Sequence, residues 1–216
     1  MASKKLYITG GIGSRAQGEG FGPNYELNNH TAYCETCASI ANVYWNYRMF
    51  LATGDAKYVD VYERALYNGV PSGVSLSGDK FFYDNPLESM GQHERAPWFG
   101  CACCPPNLAR LISSIGSYAF TENEDTLFVH LYMGSNVEKT VNGKTVNVQM
   151  ESDMPWEGNI KIRVQAAAVT SCSSKFFCAS SICFCIFCAC FIIFAIFPGI
   201  PPGNPPLFAM WGPPAF

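Results

Sequence analysis

The chain has 216 residues, with 14 basic and 17 acidic side chains and a net charge of −3. Only 14% of residues are charged, against a usual ~25%, while 49% are hydrophobic, which excludes a disordered chain. The lack of a Lys/Arg excess excludes a polyanion binder, so no nucleic-acid partner is expected.

The composition breaks sharply after Val164. The last 52 residues keep one charge, Lys175, yet carry six of the eleven Cys, seven of the 14 Pro and nine of the 16 Phe. Two different kinds of sequence are joined there. The N-terminal end, Met1-Ala2-Ser3-Lys4-Lys5, has no apolar core of a signal peptide behind it. The expected setting is therefore a reducing cytoplasm, with thiols free or metal-bound. An odd number of cysteines also prevents complete pairing within the chain.

In chain order, residues 10–25 are glycine-rich and aperiodic and read as loop. Residues 31–53 read as a helix, with Thr31 as a candidate N-cap, Gly54 past the end, and Ala38, Ala41, Val43, Tyr44, Trp45, Met49 and Phe50 as its apolar stripe. Asp55 caps a second helix that ends near Asn68, with Gly69 beyond it. So short a connection makes the two helices antiparallel neighbours. Residues 74–83 read as a short hairpin around Ser77-Gly78-Asp79, and residues 84–100 as loop. Pro105-Pro106 opens a third helix, with Leu108, Leu111, Ile112, Ile115 and Tyr118 at helical spacing. From Thr126 the period becomes two. Strands are expected over 127–133, 137–140, 145–150 and 158–164, with an Asn142-Gly143 hairpin turn. A block of helices followed by a block of antiparallel strands suggests two domains.

The tail reads separately. Phe176–Phe197 is long enough to cross a bilayer, which needs ~20 apolar residues, but has a single flanking cation. Its Phe/Cys/Ile monotony, followed by a Pro/Gly-rich stretch, resembles a coding sequence read out of frame. Residues 165–216 are expected to lie outside the fold, and a membrane partner enters only if that run is a genuine span.

Five cysteines remain, in two clusters: Cys34-Glu35-Thr36-Cys37 and Cys101-Ala102-Cys103-Cys104. Soft thiolates with one hard carboxylate, brought from two segments, suit tetrahedral Zn²⁺. The competing reading is five buried structural cysteines. Cys103 and Cys104 directly precede a helix start, whose partial positive charge pushes a thiol toward thiolate. One of this pair could then act as a nucleophile and the other as a plain ligand. A closed four-thiolate module, Cys34/Cys37/Cys103/Cys104, without catalysis is the alternative. Glu19, between Gly18 and Gly20, is a loop carboxylate with little steric shielding; His30 and His93 are isolated in polar loops. Gly10-Gly11-Ile12-Gly13 lacks the Lys-Ser/Thr of a phosphate loop.

Several strings together carry more than their separate chemistry. They are Tyr7-Ile8-Thr9-Gly10-Gly11-Ile12-Gly13-Ser14, Gly18-Glu19, Glu35-Thr36-Cys37-Ala38-Ser39, Glu63-Arg64-Ala65-Leu66-Tyr67-Asn68-Gly69, Phe82-Tyr83-Asp84-Asn85-Pro86-Leu87 and Trp98-Phe99-Gly100-Cys101-Ala102-Cys103-Cys104-Pro105-Pro106-Asn107. Over residues 6 to about 164 the chain closely resembles glycoside hydrolase family 127, the β-L-arabinofuranosidases. The resemblance implies an (α/α)6 toroid, here partial over 1–120, and the start of an antiparallel β-sandwich over 121–164. It implies retaining hydrolysis of an arabinofuranoside or related plant glycan oligosaccharide. Cys103 matches a zinc-bound nucleophile, and Glu35, Cys37 and Cys104 the remaining zinc ligands. Glu19 matches the acid/base. The family's catalytic domain is longer on its N-terminal side, so the chain reads as an internal fragment. Cys34 stands where the pattern has a small residue.

One conflict follows from helix geometry. Glu35 and Cys37, two residues apart on a regular helix, lie ~200° apart around its axis. Cys34 and Cys37 would share a face. If Glu35 is the ligand, the backbone through 32–37 must be irregular.

Overall fold

A computed structural model describes residues 3–123, 126–141, 143–166, 175–178 and 182–185. These divide into two compact units, Met1–Tyr118 and Ala119–Phe216.

The first unit is helical. α1 runs Thr36–Thr53, α2 Lys57–Arg64 and α3 Cys104–Ser113. α1 packs against both of the others. Its C-terminus is where the punctuation puts it: Gly54 is left-handed, and its N–H bonds the Phe50 carbonyl at 2.7 Å. Its start is five residues later than Thr31, because the chain stays non-helical through Glu35. Its inner face differs from the expected stripe. Ile40, Val43 and Phe50 are buried, each contributing about 1.5–3 kcal/mol, whereas Trp45 is 52% exposed. The polar Thr36, Ser39 and Asn42 share the buried face. Asn42 is inside because its amide donates to the Gly10 carbonyl at 3.1 Å, which docks the glycine-rich loop onto α1.

α2 is capped as the sequence indicates, with Asp55 Oδ1 accepting from the Lys57 N–H at 3.0 Å. It gives way to a π-helical turn, Ala65–Gly69. Gly10 lies against that turn at φ +82°, where an added Cβ would sit 2.5 Å from the Ala65 nitrogen. A side chain there would meet backbone, and only glycine tolerates both the approach and the dihedral. The hairpin over 74–83 is reduced to one bridge, Val74 with Phe81, and Phe81 bridges onward to Ala96. α3 begins at Cys104 with proline in its first turn and ends at Ser113, short of the Tyr118 end that spacing suggested. Tyr118 lies in a separate helical turn, Gly116–Ala119; its ring meets that of Tyr47 edge to face at 4.7 Å, and its carbonyl accepts from the Tyr62 hydroxyl at 3.0 Å.

The second unit is built of strands: β1 Phe120–Glu122, β2 Thr126–Val129, β3 Ser135–Val141, β4 Lys144–Ser152, β5 Ile160–Ala166, β6 Lys175–Cys178 and β7 Ile182–Cys185. One sheet has the order β1-β2-β6-β7, the other β3-β4-β5. All pairings are antiparallel except β2 with β6, which is parallel because the chain passes through the whole second sheet between them. β3 and β4 pair with Val141 opposite Lys144, leaving a two-residue connection in which Gly143 has φ +73°. Asn142 of the expected turn lies outside the described residues. β4 alternates cleanly, burying Val146, Val148 and Met150, which join Leu127 and Val129 of β2 in one apolar cluster. The tail thus supplies the last two residues of β5, 165–166, and two short strands, β6 and β7; the rest of it, including most of the 176–197 run, lies outside the described residues. Among the described residues no helix is long and apolar enough to cross a membrane.

Candidate metal centre

The stretch before α1 is held open by a side chain from far along the chain. Cys34 has φ +39°, and Glu35 is extended at φ −52°, ψ 140°. Asn85, 9% exposed, donates to the Cys34 carbonyl at 2.9 Å and to Thr36 Oγ1 at 3.0 Å. Its own N–H binds the Tyr33 carbonyl at 2.8 Å, and its Oδ1 accepts from Ser72 at 3.0 Å. The first N–H of α1, on Thr36, is taken by the Tyr83 carbonyl at 2.8 Å. These bonds outcompete a helical path for residues 33–35.

The consequence is a change of face. Cys34 turns inward, 2% exposed, into a small cluster with Tyr7 and Ala32, and burial pushes its thiol up to about 12. Glu35 and Cys37 are left on the same side. Their donor atoms and those of Cys103 and Cys104 all lie within 4.8 Å of one another. Glu35 Oε1 accepts from Cys103 Sγ at 3.3 Å and from Cys104 Sγ at 3.4 Å, and the two sulfurs are 3.7 Å apart. The geometric conflict between Glu35 and Cys34 is therefore resolved in favour of the carboxylate, with α1 starting at Thr36. A four-thiolate set containing Cys34 is not what these residues assemble.

Cys103 stands at the N-cap of α3 and is exposed; Cys104 opens the helix and is buried. Tyr83 lies against Cys103, its oxygen accepting from Sγ at 2.9 Å while its hydroxyl donates to the Cys101 carbonyl. The protons of the cluster are distributed unevenly. Cys37 is lowered to about 7, first by its bond from Cys104, with help from Asn107 and Cys103. Cys103 is pushed up to about 11, mainly by burial, and Cys104 is raised by its bond to Cys37. The helix N-terminus alone does not make Cys103 the thiolate, because burial and neighbouring acids outweigh about half a unit charge. A set of three thiols and a carboxylate this close holds its full negative charge only around a cation, so the donors fit a dication with soft, tetrahedral preference.

Glu19 is placed outside this set. It ends a short 3₁₀ turn at φ +48°, and Tyr33 donates to its Oε1 at 3.1 Å. Burial holds the Tyr33 phenol above its usual range, reinforced by Glu35 and Glu19. His30 is exposed, and His93 stacks on Phe82 at 4.4 Å with Nε2 2.9 Å from the Asp84 carbonyl oxygen; neither joins the cluster. Tyr33, Tyr83 and Asn85 were not legible as contributors, because they act through hydrogen bonds to distant segments, which leave no spacing signature.

Comparison with known proteins supplies the context. The pattern of the beta-L-arabinofuranosidase GH127 catalytic domain matches residues 1–117, and that of the GH127 middle domain matches residues 126–176. A non-reducing end beta-L-arabinofuranosidase of Bifidobacterium longum subsp. longum is 37% identical over 190 residues, covering 82% of this chain and 28% of that protein. Among solved structures, a GH127 beta-arabinofuranosidase superposes with TM-score 0.74 at 52% identity, over 80% of this chain and 27% of its own. A GH127 beta-L-arabinofuranosidase from Geobacillus stearothermophilus T6 gives TM-score 0.76 at 47% identity, over 80% of this chain and 29% of its own. The chain thus spans less than a third of the length of these relatives. With the catalytic-domain pattern covering its whole helical unit, the chain belongs to glycoside hydrolase family 127.

Proposed function

We propose that this chain carries the reacting centre of a retaining β-L-arabinofuranosidase, with Cys103 as nucleophile and Glu19 as acid/base. The observation that supports it is the convergence of Glu35, Cys37, Cys103 and Cys104, with Cys103 exposed where a sugar could reach it. The substrate class is an arabinofuranoside at the end of a plant glycan oligosaccharide. Zinc held by these four residues would supply the positive charge that keeps the thiols deprotonated near neutral pH.

The steps belong to the chain's own groups. Cys103 Sγ attacks the anomeric carbon as the glycosidic C–O bond breaks, and Glu19 gives its proton to the departing oxygen. Glu19 then removes a proton from water, whose oxygen displaces the sulfur, and two inversions give net retention. Tyr83, against Cys103, limits where the sulfur can swing. A reducing, cytoplasmic setting is part of this reading, since the three thiols must stay unoxidised to bind metal. We also read the helical unit as part of an (α/α)6 toroid, and the two sheets, which share one apolar cluster, as the start of a β-sandwich.

The test is turnover of 4-nitrophenyl β-L-arabinofuranoside by the zinc-loaded chain. Activity is expected to vanish in Cys103→Ala and to fall by about 10²–10⁴ in Glu19→Gln. Hydrolysis persisting in Cys103→Ala would overturn the reading.

A further inference from the structure

Glu19 is exposed and sits on a left-handed turn behind Gly18, itself at φ +71°. An exposed carboxylate has little packing to choose its rotamer. The cation of the same loop, Arg15, is committed to Glu26 through bonds of 2.6 and 2.8 Å. Tyr33 supplies a side-chain hydrogen bond to Glu19, at Oε1. Tyr33 is itself fixed, since its carbonyl accepts from the Asn85 N–H at 2.8 Å, and the Asn85 side chain holds Cys34 and Thr36. The position of Glu19 is thereby referred to the backbone that carries Glu35 and Cys37.

We propose that Tyr33 is the positioning residue of Glu19: its hydroxyl occupies Oε1, so that the carboxyl proton is carried on Oε2. This rests on the reading of Glu19 as acid/base. A phenol is a donor at neutral pH, and a hydroxyl donating to Oε1 leaves that oxygen as the carbonyl-like one. The proton given to the glycosidic oxygen then comes from Oε2. As the C–O bond breaks, its electron pair goes to that oxygen, and Tyr33 keeps its own proton throughout. Arg15 and Glu26 of the loop are paired with each other, and Glu35 faces Tyr33.

The experiment uses the full zinc-loaded chain labelled with ¹³C at glutamate carboxyls, the Glu19 resonance being assigned by its loss in Glu19→Gln. Tyr33→Phe, which keeps the ring, is expected to shift the Glu19 carboxyl resonance at fixed pH and zinc loading, because the hydrogen bond at Oε1 is lost. An unshifted carboxyl resonance overturns the proposal, because a purely packing role of the ring survives in Phe. As a check that needs no change at Tyr33, Glu19→Gln should shift the Tyr33 ring-carbon resonance next to the hydroxyl; an unshifted resonance overturns it equally. With aryl arabinofuranosides, Tyr33→Phe should slow poor leaving groups about tenfold more than activated ones. A shifted carboxyl resonance in a chain without turnover overturns the acid/base reading of Glu19 and leaves its orientation by Tyr33 standing. An unshifted one in a chain that hydrolyses does the reverse.

Discussion

The two cysteine-bearing segments reach the same point by opposite means. At 101–104 the chain enters a helix directly, and Cys103 and Cys104 are adjacent at its start, with prolines in its first turn. At 34–37 the chain is kept from entering a helix until Thr36, by bonds from Asn85 and Tyr83 some fifty residues away. The first arrangement is local and would survive much rearrangement elsewhere. The second is a product of tertiary structure, and it decides which of two neighbouring side chains, Cys34 or Glu35, faces the other sulfurs. Thiol spacing does not select which side chains converge here; backbone dihedrals do.

The most direct way to break this contrast is to exchange the thiols themselves. Cys104→Ala is expected to reduce bound zinc from about one per chain to near zero, since closed zinc sites need four donors. Cys37→Ser should lower it as well, whereas Cys34→Ser should leave the stoichiometry unchanged. Metal analysis of the purified chains reads all three, and a loss of zinc in Cys34→Ser would sink the assignment of Glu35.

Next in size is the pin. Asn85→Ala strips hydrogen-bond partners from the Cys34 carbonyl, Thr36 and Ser72. It should cost about 2–3 kcal/mol in chemical denaturation, by the usual cost of unmet buried polar groups. Zinc should also pass to a chelator more readily, because Glu35 is no longer held in place.

Acid titration needs a separate control, because the second unit has its own acid sensitivity. His130 is 2% exposed and burial lowers it to about 4. An unfolded histidine titrates near 6.5, so the unfolded chain binds the extra proton between those values. Stability is therefore retained above about 6.5 and falls as the pH drops toward 4, by on the order of 2–3 kcal/mol. His130→Gln should flatten that slope in thermal melts across the same window, which separates unfolding of the sheets from loss of metal.

The smallest effect belongs to the local segment. Pro106 is exposed in the first turn of α3. Pro106→Ala should cost only about 0.5–1 kcal/mol, through the entropy of the unfolded chain, with zinc content unchanged. If it instead matched Asn85→Ala, the start of α3 would also depend on distant contacts.

Much of the fold was legible without coordinates, wherever a short stretch is sufficient cause. Gly54 ends α1, Asp55 caps α2, and the alternation of Val146, Val148 and Met150 makes β4. The clustering of thiols with a carboxylate likewise announced a set of donors that could hold a metal ion. Other features depended on the partner across the gap. Periodicity pointed to Trp45 as core, but the inner face of α1 was taken by Ser39 and Asn42, because the glycine-rich loop offers Asn42 a buried carbonyl. The break in charge after Val164 marked a change of sequence, yet β6 and β7 fall beyond it and pair onto β2, since strand edges recruit backbone rather than side-chain identity. By itself, then, the sequence determined the residue types of the site and the helices and strands around them, because caps, turns and periodic burial act within a few residues. The tertiary structure decided that Glu35 rather than Cys34 meets Cys103, and that Tyr33 meets Glu19. Those choices hang on a few hydrogen bonds between separate segments of the chain, and such bonds leave no periodic trace in either segment alone.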